Sequence, residues 1–413
     1  MSSKNIIVAQ SGGPTVAINA SLAGVISAAL SDINYDIVYG SIYGILGILN
    51  DNIINLSDKA DETPHFTDTL KISPAMYLGS CRFKLPDYTK DEEPYITIFN
   101  QFKRYNIGAF FYIGGNDSMD TVLKLSNYAA HISSDIRIIG IPKTIDNDLL
   151  VTDHTPGYGS AAKYIAASML EIAHDTFIYS VPSVTIVEIM GRDSGWLTAA
   201  AALARNEYNS APHLIYFPEV AFDEQQFLED IKTQLKQRNN VIIAVSEGIR
   251  DKNGQYISAA SAVNDEFGHS QLSGTGKHLE YLVKDTLNIK VRSIELNVLQ
   301  RCASHLSSLT DINESYELGR KAVEFAENGL STCMLTIKRT SDKPYSTIIE
   351  TADIRDIANE AKMIPREWIN ANGNDITEPL YDYMAPLIIG EPDVHFKDGL
   401  PTYLPVTHLS KNL

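Results

Sequence analysis

The stretch "FFYIGGNDSMDTVLKL" (residues 110–125) decides the fold, because an apolar run ends there in two glycines and leads into a helical pattern. Buried parallel strands have this continuous apolar character, and a glycine-rich turn after a strand presents an anion to the next helix N-terminus. The turn also carries Asn116 and Asp117, and the second of these is itself an anion. The stretch therefore predicts a strand, a phosphate-binding turn and a helix. The carboxylate of Asp117 is unexpected in a turn that binds an anion, so its presence requires an explanation.

Apolar runs and helical patterns alternate along most of the chain. Buried strands are predicted at residues 5–10, 107–114, 136–142, 183–190, 213–217 and 240–248. Helices are predicted at residues 16–31, 118–131, 159–174, 223–237, 275–286 and 313–327. This alternation is typical of the α/β class, with doubly wound, Rossmann-like sheets that carry helices on both faces.

The length of 413 residues exceeds what one typical core occupies, so two lobes are expected. We predict a first lobe at residues 1–155, to which the chain returns at about 302–350. A second lobe follows at residues 156–301, with the C-terminal 351–413 packing on it. In open α/β sheets ligands lie beyond the carboxyl ends of the strands, so each loop after a strand is a candidate site.

The composition excludes several classes of protein. The net charge of −17 argues against a nucleic-acid partner, and any anionic ligand must be held by a local cluster of Lys and Arg. No signal-peptide pattern or membrane span is recognisable, so no membrane partner is expected. The three cysteines are far apart and lack metal-site spacing, which is typical of free thiols in a reducing compartment. A cytoplasmic location is expected.

Two strand-to-helix turns are rich in glycine. Gly12 and Gly13 follow the first strand, where they either admit an anion close to the backbone or simply form a tight turn. In "GGNDS", Ser118 is a candidate helix cap and the side-chain oxygen of Asn116 is a candidate ligand for a hydrated metal. The alternative for Asp117 is an ordinary charge at a helix N-terminus.

The most informative loop is "GIPKTIDNDLL" (residues 140–150), where Lys143, Thr144, Asp146 and Asp148 follow a buried strand within six residues. Carboxylates beside a lysine suit phosphoryl transfer. One carboxylate takes a hydroxyl proton, while Lys and Mg²⁺ stabilise the charge of the migrating group. The alternative is a solvated loop held by Asx turns.

Two further strand ends carry polar side chains. In "IVEIMGRDSGWL", Met190 and Gly191 form a close-packed rim, and Arg192 stands where a planar fork could hold a phosphate or sugar phosphate. In "AVSEG", Glu247 is an acceptor suited to sugar hydroxyls. Each alone is more typical of a surface charge, but their recurrence at strand ends favours a common site.

The motifs "SGGPT", "LGSCRF", "GGNDS", "PKTIDND", "MGR" and "SEG" occur in this order, and the chain resembles the 6-phosphofructokinases from about residue 5 to residue 340. The stretch "DHTPGYGSAAKYIA" (residues 153–166) resembles the longer branch of that family, which uses pyrophosphate. The resemblance implies two lobes of the phosphofructokinase type with the active site between them. The first lobe would bind the phosphoryl donor and the second the sugar phosphate.

The resemblance also implies a reason for the carboxylate in the anion-binding turn. ATP-using members generally have GGDGS and PGTIDND, whereas this chain has GGNDS and PKTIDND. An Asp at the position of Asp117 occupies the space and charge of the ATP α-phosphate, so ATP is repelled. Pyrophosphate ends before that point. Lys143 then stabilises the pyrophosphate, the donor that remains.

Further roles carry over with the motifs. The resemblance implies that Gly13 binds the donor through its backbone and that Arg82 contacts its phosphates. Asn116 stands where the family has an Asp associated with Mg²⁺. Thr144 and Asp146 would approach the 1-hydroxyl of fructose 6-phosphate. Asp146 would act as the general base and Asp148 would assist it.

The sugar site implied by the resemblance is formed by the second lobe. Its residues would be Met190, Gly191, Arg192 and Glu247, with Arg292 and Arg301 for the 6-phosphate. Asn297 and Val298 depart from the family, which has Gly followed by His or Tyr there. Ser183 stands where tetrameric bacterial enzymes have an Arg that reaches the neighbouring subunit.

The function implied is reversible, Mg²⁺-dependent transfer of a phosphoryl group from pyrophosphate to fructose 6-phosphate. Two alternatives stay open. One is an ATP-dependent phosphofructokinase, against which Asp117 and Lys143 speak. The other is a non-catalytic regulatory subunit that binds sugar phosphate, which the departures at Asn297 and Val298 would favour. A nicotinamide-dependent enzyme is disfavoured because the dinucleotide-binding glycine spacing is missing. The expected assembly is a homodimer.

Overall fold

The fold is seen in a computed structural model that describes residues 4–258, 263–264, 270–271, 274–357 and 361–409. The strands are β1 (Lys4–Gln10), β2 (Tyr35–Ser41), β3 (Ile53–Asn55), β4 (Ile107–Gly114), β5 (Arg137–Pro142), β6 (Ser183–Ile189), β7 (Leu214–Tyr216), β8 (Asn240–Ser246), β9 (Val263–Asn264), β10 (Ser270–Gln271), β11 (Lys290–Glu295), β12 (Cys333–Asp342), β13 (Tyr345–Asp353), β14 (Phe396–Lys397) and β15 (Leu400–Pro401). The helices are α1 (Ile18–Leu30), α2 (Ile45–Leu49), α3 (Leu56–Glu62), α4 (Phe66–Ile72), α5 (Glu93–Arg104), α6 (Asn116–His131), α7 (Tyr158–Phe177), α8 (Trp196–Ala200), α9 (Glu224–Leu235), α10 (Thr275–Leu287), α11 (Leu309–Glu327) and α12 (Glu378–Met384).

Two larger sheets organise these elements. The first has seven strands in the order β13-β12-β5-β4-β1-β2-β3, and the second has four in the order β11-β6-β8-β7. The inner pairs of both sheets are parallel, whereas β3 and β13 run antiparallel to their neighbours at the two edges of the first sheet. All six strands predicted from apolar runs are present and belong to these sheets.

Both faces of each sheet are buried, which is why the strands are apolar at successive positions rather than alternate ones. In β1, Ile6 and Val8 belong to one core cluster, while Ile7 and Ala9 belong to the cluster on the opposite face. The second sheet divides the same way, with Val187 and Ile186 on opposite faces. Helices cover both faces, as in a doubly wound fold.

The C-terminal segment packs on both sheets. Leu380 and Met384 of α12 join a core cluster of the second sheet. Ile354 joins a cluster of the first sheet, and Leu404 and Leu409 pack against another. This differs from the predicted placement of residues 351–413 on the second lobe alone, because the end of the chain returns to the first sheet. Residues 358–360 and 410–413 lie outside the described residues, and the lobe boundary near residue 155 stays a prediction.

Helices α1 and α11 cross with almost no space between them. A Cβ atom at Gly24 would overlap the carbonyl oxygen of Tyr316, and one at Gly319 would overlap the carbonyl oxygen of Ser21. The two backbones therefore touch directly, and glycine is the residue that both helices need at the crossing. In the described part of the chain, no helix is long and apolar enough to cross a bilayer.

Gly319→Ala should lower the free energy of unfolding by about 1–3 kcal/mol, because the added methyl group forces the helices apart and this outweighs the better helix propensity of Ala. Chemical denaturation measures the change. Arg320→Ala, an exposed change one residue further along α11, is the control and should stay within about 0.5 kcal/mol of the parent. A Gly319→Ala protein as stable as the parent would show that the helices can separate at no cost.

Candidate active site

The predicted site loops lie together because they follow neighbouring strands of the same sheets. Gly114 at the end of β4 pairs in register with Pro142 at the end of β5. The backbone N–H of Lys143 then donates to the Gly114 carbonyl oxygen at 2.9 Å. In the second sheet, the N–H of Glu247 donates to the carbonyl oxygen of Ile189 at 2.9 Å. Parallel strands thus bring four loops to two sheet edges.

The loop after β1 contains two glycines at positions where neighbouring cationic groups leave little room for a side chain. Gly12 has a φ of +82°, and a Cβ atom there would lie 3.0 Å from Nζ of Lys143. That Nζ donates to the carbonyl oxygen of Gly13 at 2.7 Å. A Cβ atom at Gly13 would lie 3.3 Å from a guanidinium nitrogen of Arg301. Two cationic side chains therefore close in on this loop, as a site for phosphate requires.

The helix after this loop begins later than predicted. The hydroxyl of Thr15 accepts hydrogen bonds from the N–H groups of Ala17 and Ile18, at 3.2 and 2.9 Å. Thr15 therefore binds the first N–H groups from outside the helix rather than starting it, and α1 begins at Ile18.

In "GGNDS" the helix begins earlier than predicted. Gly115 is the N-terminal cap residue of α6, and Asn116 is its first residue. The prediction that Ser118 caps this helix is wrong, because Ser118 is buried within the first turn and its hydroxyl occupies the space where Gly114 lacks a side chain. Asn116 Oδ1 is buried and has no hydrogen-bond partner among the described residues. Asp117 is exposed in the first turn of the helix.

The loop after β5 carries the predicted acid cluster in a fixed conformation. The hydroxyl of Thr144 accepts from the N–H of Asp146 at 3.1 Å. From the second sheet, the hydroxyl of Ser194 donates to the carbonyl oxygen of Asp146 at 3.2 Å. Asn147 is left-handed, with a φ of +55°. The loop is therefore held from both sides of the cleft.

Charges around Asp146 come from three loops. Burial raises the pKa of the Asp146 carboxyl, and the guanidinium of Arg192, the amine of Lys143 and the guanidinium of Arg301 oppose that rise without cancelling it. Burial lowers the pKa of Lys143 to about 7, and Asp146 opposes this. A carboxyl group with a raised pKa and an amine with a lowered pKa therefore lie in the same cluster, and groups with such pKa values are suited to proton transfer.

Two further carboxyl groups border the same cluster. Burial, reinforced by the charge of Asp146, raises the pKa of Asp148 to about 7. Burial also raises the pKa of Glu247 to about 7, although the N–H of Gly191 donates to its Oε1 at 3.3 Å and opposes the shift. A cation or a hydroxyl-bearing ligand beside such buried carboxyl groups would stabilise them.

The second sheet supplies the predicted sugar-site residues. Gly191, with a φ of +132°, is locked by the Ser246 hydroxyl on its carbonyl oxygen. Met190 and Arg192 flank it, half-buried. Arg301 lies in a short 3-10 helix, Asn297–Arg301, and its Nε is buried without a hydrogen-bond partner in the described part of the chain. An unsatisfied guanidinium nitrogen near Asp146 is suited to an anionic ligand.

Two predicted residues are not brought into this cluster. Arg292 lies on the edge strand β11, half-exposed, with its guanidinium 3.4 Å from the carboxylate of Asp175. Arg82 is exposed, two residues after Ser80, whose hydroxyl donates to the carbonyl oxygen of Gly12 at 2.8 Å. The segment that carries Arg82 is thus joined to the loop after β1 through Ser80. The roles of both arginines stay predictions.

A buried ion cluster behind the loop was not predicted from the sequence. His154 has its Nδ1 2.8 Å from Asp153 and its Nε2 2.7 Å from Glu314 of α11. Arg339 of β12 lies 3.0 Å from the same Asp153 carboxylate. Burial alone would lower the pKa of His154, but the carboxylates outweigh it and raise the pKa to about 9. The stretch "DHTPGYGS" contained the signal, yet Glu314 and Arg339 are too distant in sequence for spacing to reveal them.

Lys362 of the C-terminal segment also supports the loop and was not predicted. Its N–H donates to the carbonyl oxygen of Asp148 at 2.8 Å, and its Nζ donates to the carbonyl oxygen of Asp153 at 2.7 Å. Trp196 donates its indole N–H to the carbonyl oxygen of Lys362 at 2.8 Å. The C-terminal segment therefore holds the loop after β5 at two points, Asp148 and Asp153.

Comparison with known proteins places these features in a family. The family described as Phosphofructokinase matches residues 5–326. A protein of Halomonas elongata named pyrophosphate–fructose 6-phosphate 1-phosphotransferase is 41% identical over 404 residues, which cover 97% of this chain and 96% of that protein. A protein of the same name from Methylococcus capsulatus is 38% identical, over 99% of this chain and 97% of its own length.

A solved structure gives the same result. The pyrophosphate-dependent phosphofructokinase of Nitrosospira multiformis superposes with a TM-score of 0.87 at 37% identity, covering 97% of this chain and 96% of that one. The chain belongs to the phosphofructokinase family. Both the family and the fold class predicted from the sequence are confirmed.

The ion cluster at His154 should make stability depend on pH. Because the folded-state pKa of His154 is raised above its usual 6.5 to about 9, its contribution is present below pH 6.5 and is lost as pH rises through 9. Between pH 6.5 and 9.5 the parent should therefore lose about 3 kcal/mol more unfolding free energy than His154→Gln, which cannot titrate. Chemical denaturation at the two pH values measures this difference.

His395→Gln is the matched control, since His395 is exposed. That variant should follow the parent at both pH values. Equal pH dependence in the parent and His154→Gln would contradict a protonated His154 in the folded protein.

Proposed function

We propose that the protein transfers a phosphoryl group from pyrophosphate to the 1-hydroxyl of fructose 6-phosphate, giving fructose 1,6-bisphosphate and phosphate. The observation that carries this proposal is the buried amine of Lys143, which lies against the glycine loop after β1 and within the field of Asp146. A lysine so placed faces the donor on one side and the general base on the other. The names of the relatives support the same donor and acceptor.

Asp146 is the general base in this proposal. Its raised pKa favours uptake of the hydroxyl proton as the sugar oxygen attacks phosphorus. The attacking oxygen forms the new P–O bond while the bond between phosphorus and the bridging oxygen of pyrophosphate breaks. Lys143 stabilises the charge on the phosphoryl oxygens and on the departing phosphate. Thr144 holds the backbone of Asp146 in place.

Donor selection follows from the two turns that bind the phosphates. The backbone of Gly13 and the side chain of Arg82 bind pyrophosphate, and Lys143 lies over Gly12. A longer donor would bring its α-phosphate toward Asp117, whose carboxylate repels it. Because pyrophosphate is shorter, it escapes this repulsion.

The sugar phosphate is held by the second sheet. Gly191 and Glu247 form one wall, joined by a hydrogen bond, and Met190 and Arg192 lie beside them. The unsatisfied Nε of Arg301 supports a role for this side chain in binding an anion. Arg292 is assigned to the 6-phosphate on the resemblance alone.

Mg²⁺ fits the donor set of this site. No cluster of three or more His, Cys, Asp or Glu side chains capable of holding a metal occurs among the described residues. The orphaned Oδ1 of Asn116 and the buried carboxyl group of Asp148 are oxygen donors, however, of the kind that a Mg²⁺ ion would take together with phosphate and water. Bound there, Mg²⁺ would neutralise phosphate charge. A cytoplasmic homodimer and reversible operation complete the proposal.

The donor assignment predicts which substrates are turned over. Purified protein supplied with Mg²⁺ and fructose 6-phosphate should form fructose 1,6-bisphosphate with pyrophosphate and not with ATP. Asp117→Gly should give at most feeble turnover with ATP, because Lys143 still crowds the donor site. Coupled assays with the two donors at matched concentration measure both.

The other outcomes identify the alternatives. Substantial turnover with ATP by the unmodified protein would establish an ATP-dependent kinase. If neither donor is used but fructose 6-phosphate raises the melting temperature, the result would support the alternative of a regulatory subunit.

Asp146→Asn should lower kcat with pyrophosphate by at least about 100-fold, since the amide cannot accept the hydroxyl proton. The measurement is initial rate against pyrophosphate concentration at saturating fructose 6-phosphate. Asp120→Asn is the control, because Asp120 pairs with Lys124 at 2.6 Å within α6 and lies outside the cluster. It should retain kcat within about twofold. A near-normal kcat for Asp146→Asn would remove its role as base.

A further inference from the structure

The end of the chain crosses from the second sheet to the first. After α12 and the hairpin β14–β15, residues 402–409 run along the surface of the first lobe and form what we call the C-terminal strap. The backbone N–H of Leu404 donates to the hydroxyl of Ser73 at 3.0 Å. Leu404 and Leu409 pack against a core cluster of the first sheet. The strap is therefore attached at both of its ends.

His408 contacts Tyr77 through both a hydrogen bond and its ring. Its Nε2 lies 2.7 Å from the carbonyl oxygen of Tyr77, to which it donates. Its ring also contacts the ring of Tyr77 in a tilted arrangement, with the centroids 4.3 Å apart. One residue later, the carbonyl oxygen of Leu409 accepts from the Tyr43 hydroxyl at 2.6 Å. Tyr43 in turn donates its N–H to the carbonyl oxygen of Leu78 at 2.8 Å.

The residues beneath the strap form the wall behind the first phosphate loop. The N–H of Leu78 donates to Gln10 Oε1 at 2.9 Å, at the end of β1. Ser80 donates to the carbonyl oxygen of Gly12 at 2.8 Å. Arg82 follows two residues later. The strap thus contacts one side of residues 73–80, while the other side of this segment contacts the loop assigned to the donor.

This segment needs support to keep its conformation. Ala75 has a φ of +67° and Gly79 a φ of +70°, so the chain takes two left-handed turns within five residues. A left-handed alanine is strained because its Cβ crowds the backbone, and it persists only where its surroundings hold it. The strap supplies such surroundings, because its contacts fall on Ser73, Tyr77 and Gly79.

We propose that the C-terminal strap positions the pyrophosphate-binding loops and that His408 is its positioning residue. By holding Tyr77 and Leu78, the strap fixes Ser80 against Gly12 and so fixes where Arg82 and Gly13 meet the donor. His408 touches neither substrate. The inference rests on the proposed function, because it assigns this loop to pyrophosphate.

The proposal requires an effect on one substrate only. His408→Ala should raise KM for pyrophosphate roughly three- to tenfold, the loss expected for one well-formed hydrogen bond and its ring contact. KM for fructose 6-phosphate and the melting temperature should stay near those of the parent. His408→Gln, whose amide can still donate to the Tyr77 carbonyl oxygen, should recover much of the loss. Val406→Ala, an exposed change in the same strap, is the control and should behave as the parent.

A second readout does not depend on turnover. Hydrogen exchange of peptides covering residues 73–85 should become faster in His408→Ala and return toward the parent in His408→Gln. If the parent fails to use pyrophosphate but this exchange pattern holds, the proposed donor is wrong while the strap still fixes the loop. If exchange is unchanged in His408→Ala, or if both KM values rise together, the positioning role is overturned.

Discussion

The amine of Lys143, buried 2.7 Å from the carbonyl oxygen of Gly13, is the interaction on which the rest of the site depends. A buried ammonium group is costly unless opposite charges and hydrogen bonds surround it. Asp146 and Asp148 supply those charges, and glycine at position 12 leaves room for the amine. Because these groups lie on separate loops, the arrangement exists only where β1, β4 and β5 end side by side.

Behind this cluster, the loop that carries it is fixed by parts of the chain that are distant in sequence. Glu314 of α11 and Arg339 of β12 neutralise His154 and Asp153, and Lys362 joins Asp148 to the carbonyl oxygen of Asp153. Each of these contacts satisfies a buried polar group that would otherwise be costly. Paired polar groups therefore support the loop after β5 in addition to apolar packing.

The sequence predicts the elements that are apolar on both faces and fails where only one face is buried. The hairpin β12–β13 escaped notice because "RTSDKPYSTIIE" is mostly polar, with exposed and half-buried positions alternating beyond its buried start. Strand β11 was missed because it is a half-exposed edge strand. The site residues were predictable where a motif places them after a strand. Glu314, Arg339 and Lys362 were not, since only tertiary packing brings them to the loop.

Helix α11 contacts both the start of α7 and helix α1. At its N-terminal end, Asp311 accepts hydrogen bonds from the N–H groups of Gly157 and Ser160, at 2.8 and 3.0 Å, where the catalytic loop enters α7. Along its length, Gly319 brings it into backbone contact with α1, which starts at the donor loop. Close-packed backbones cannot slide independently. Helix α11 therefore links the entrance of α7 to the helix that follows the donor loop, so a change at either contact is transmitted to the other through one element.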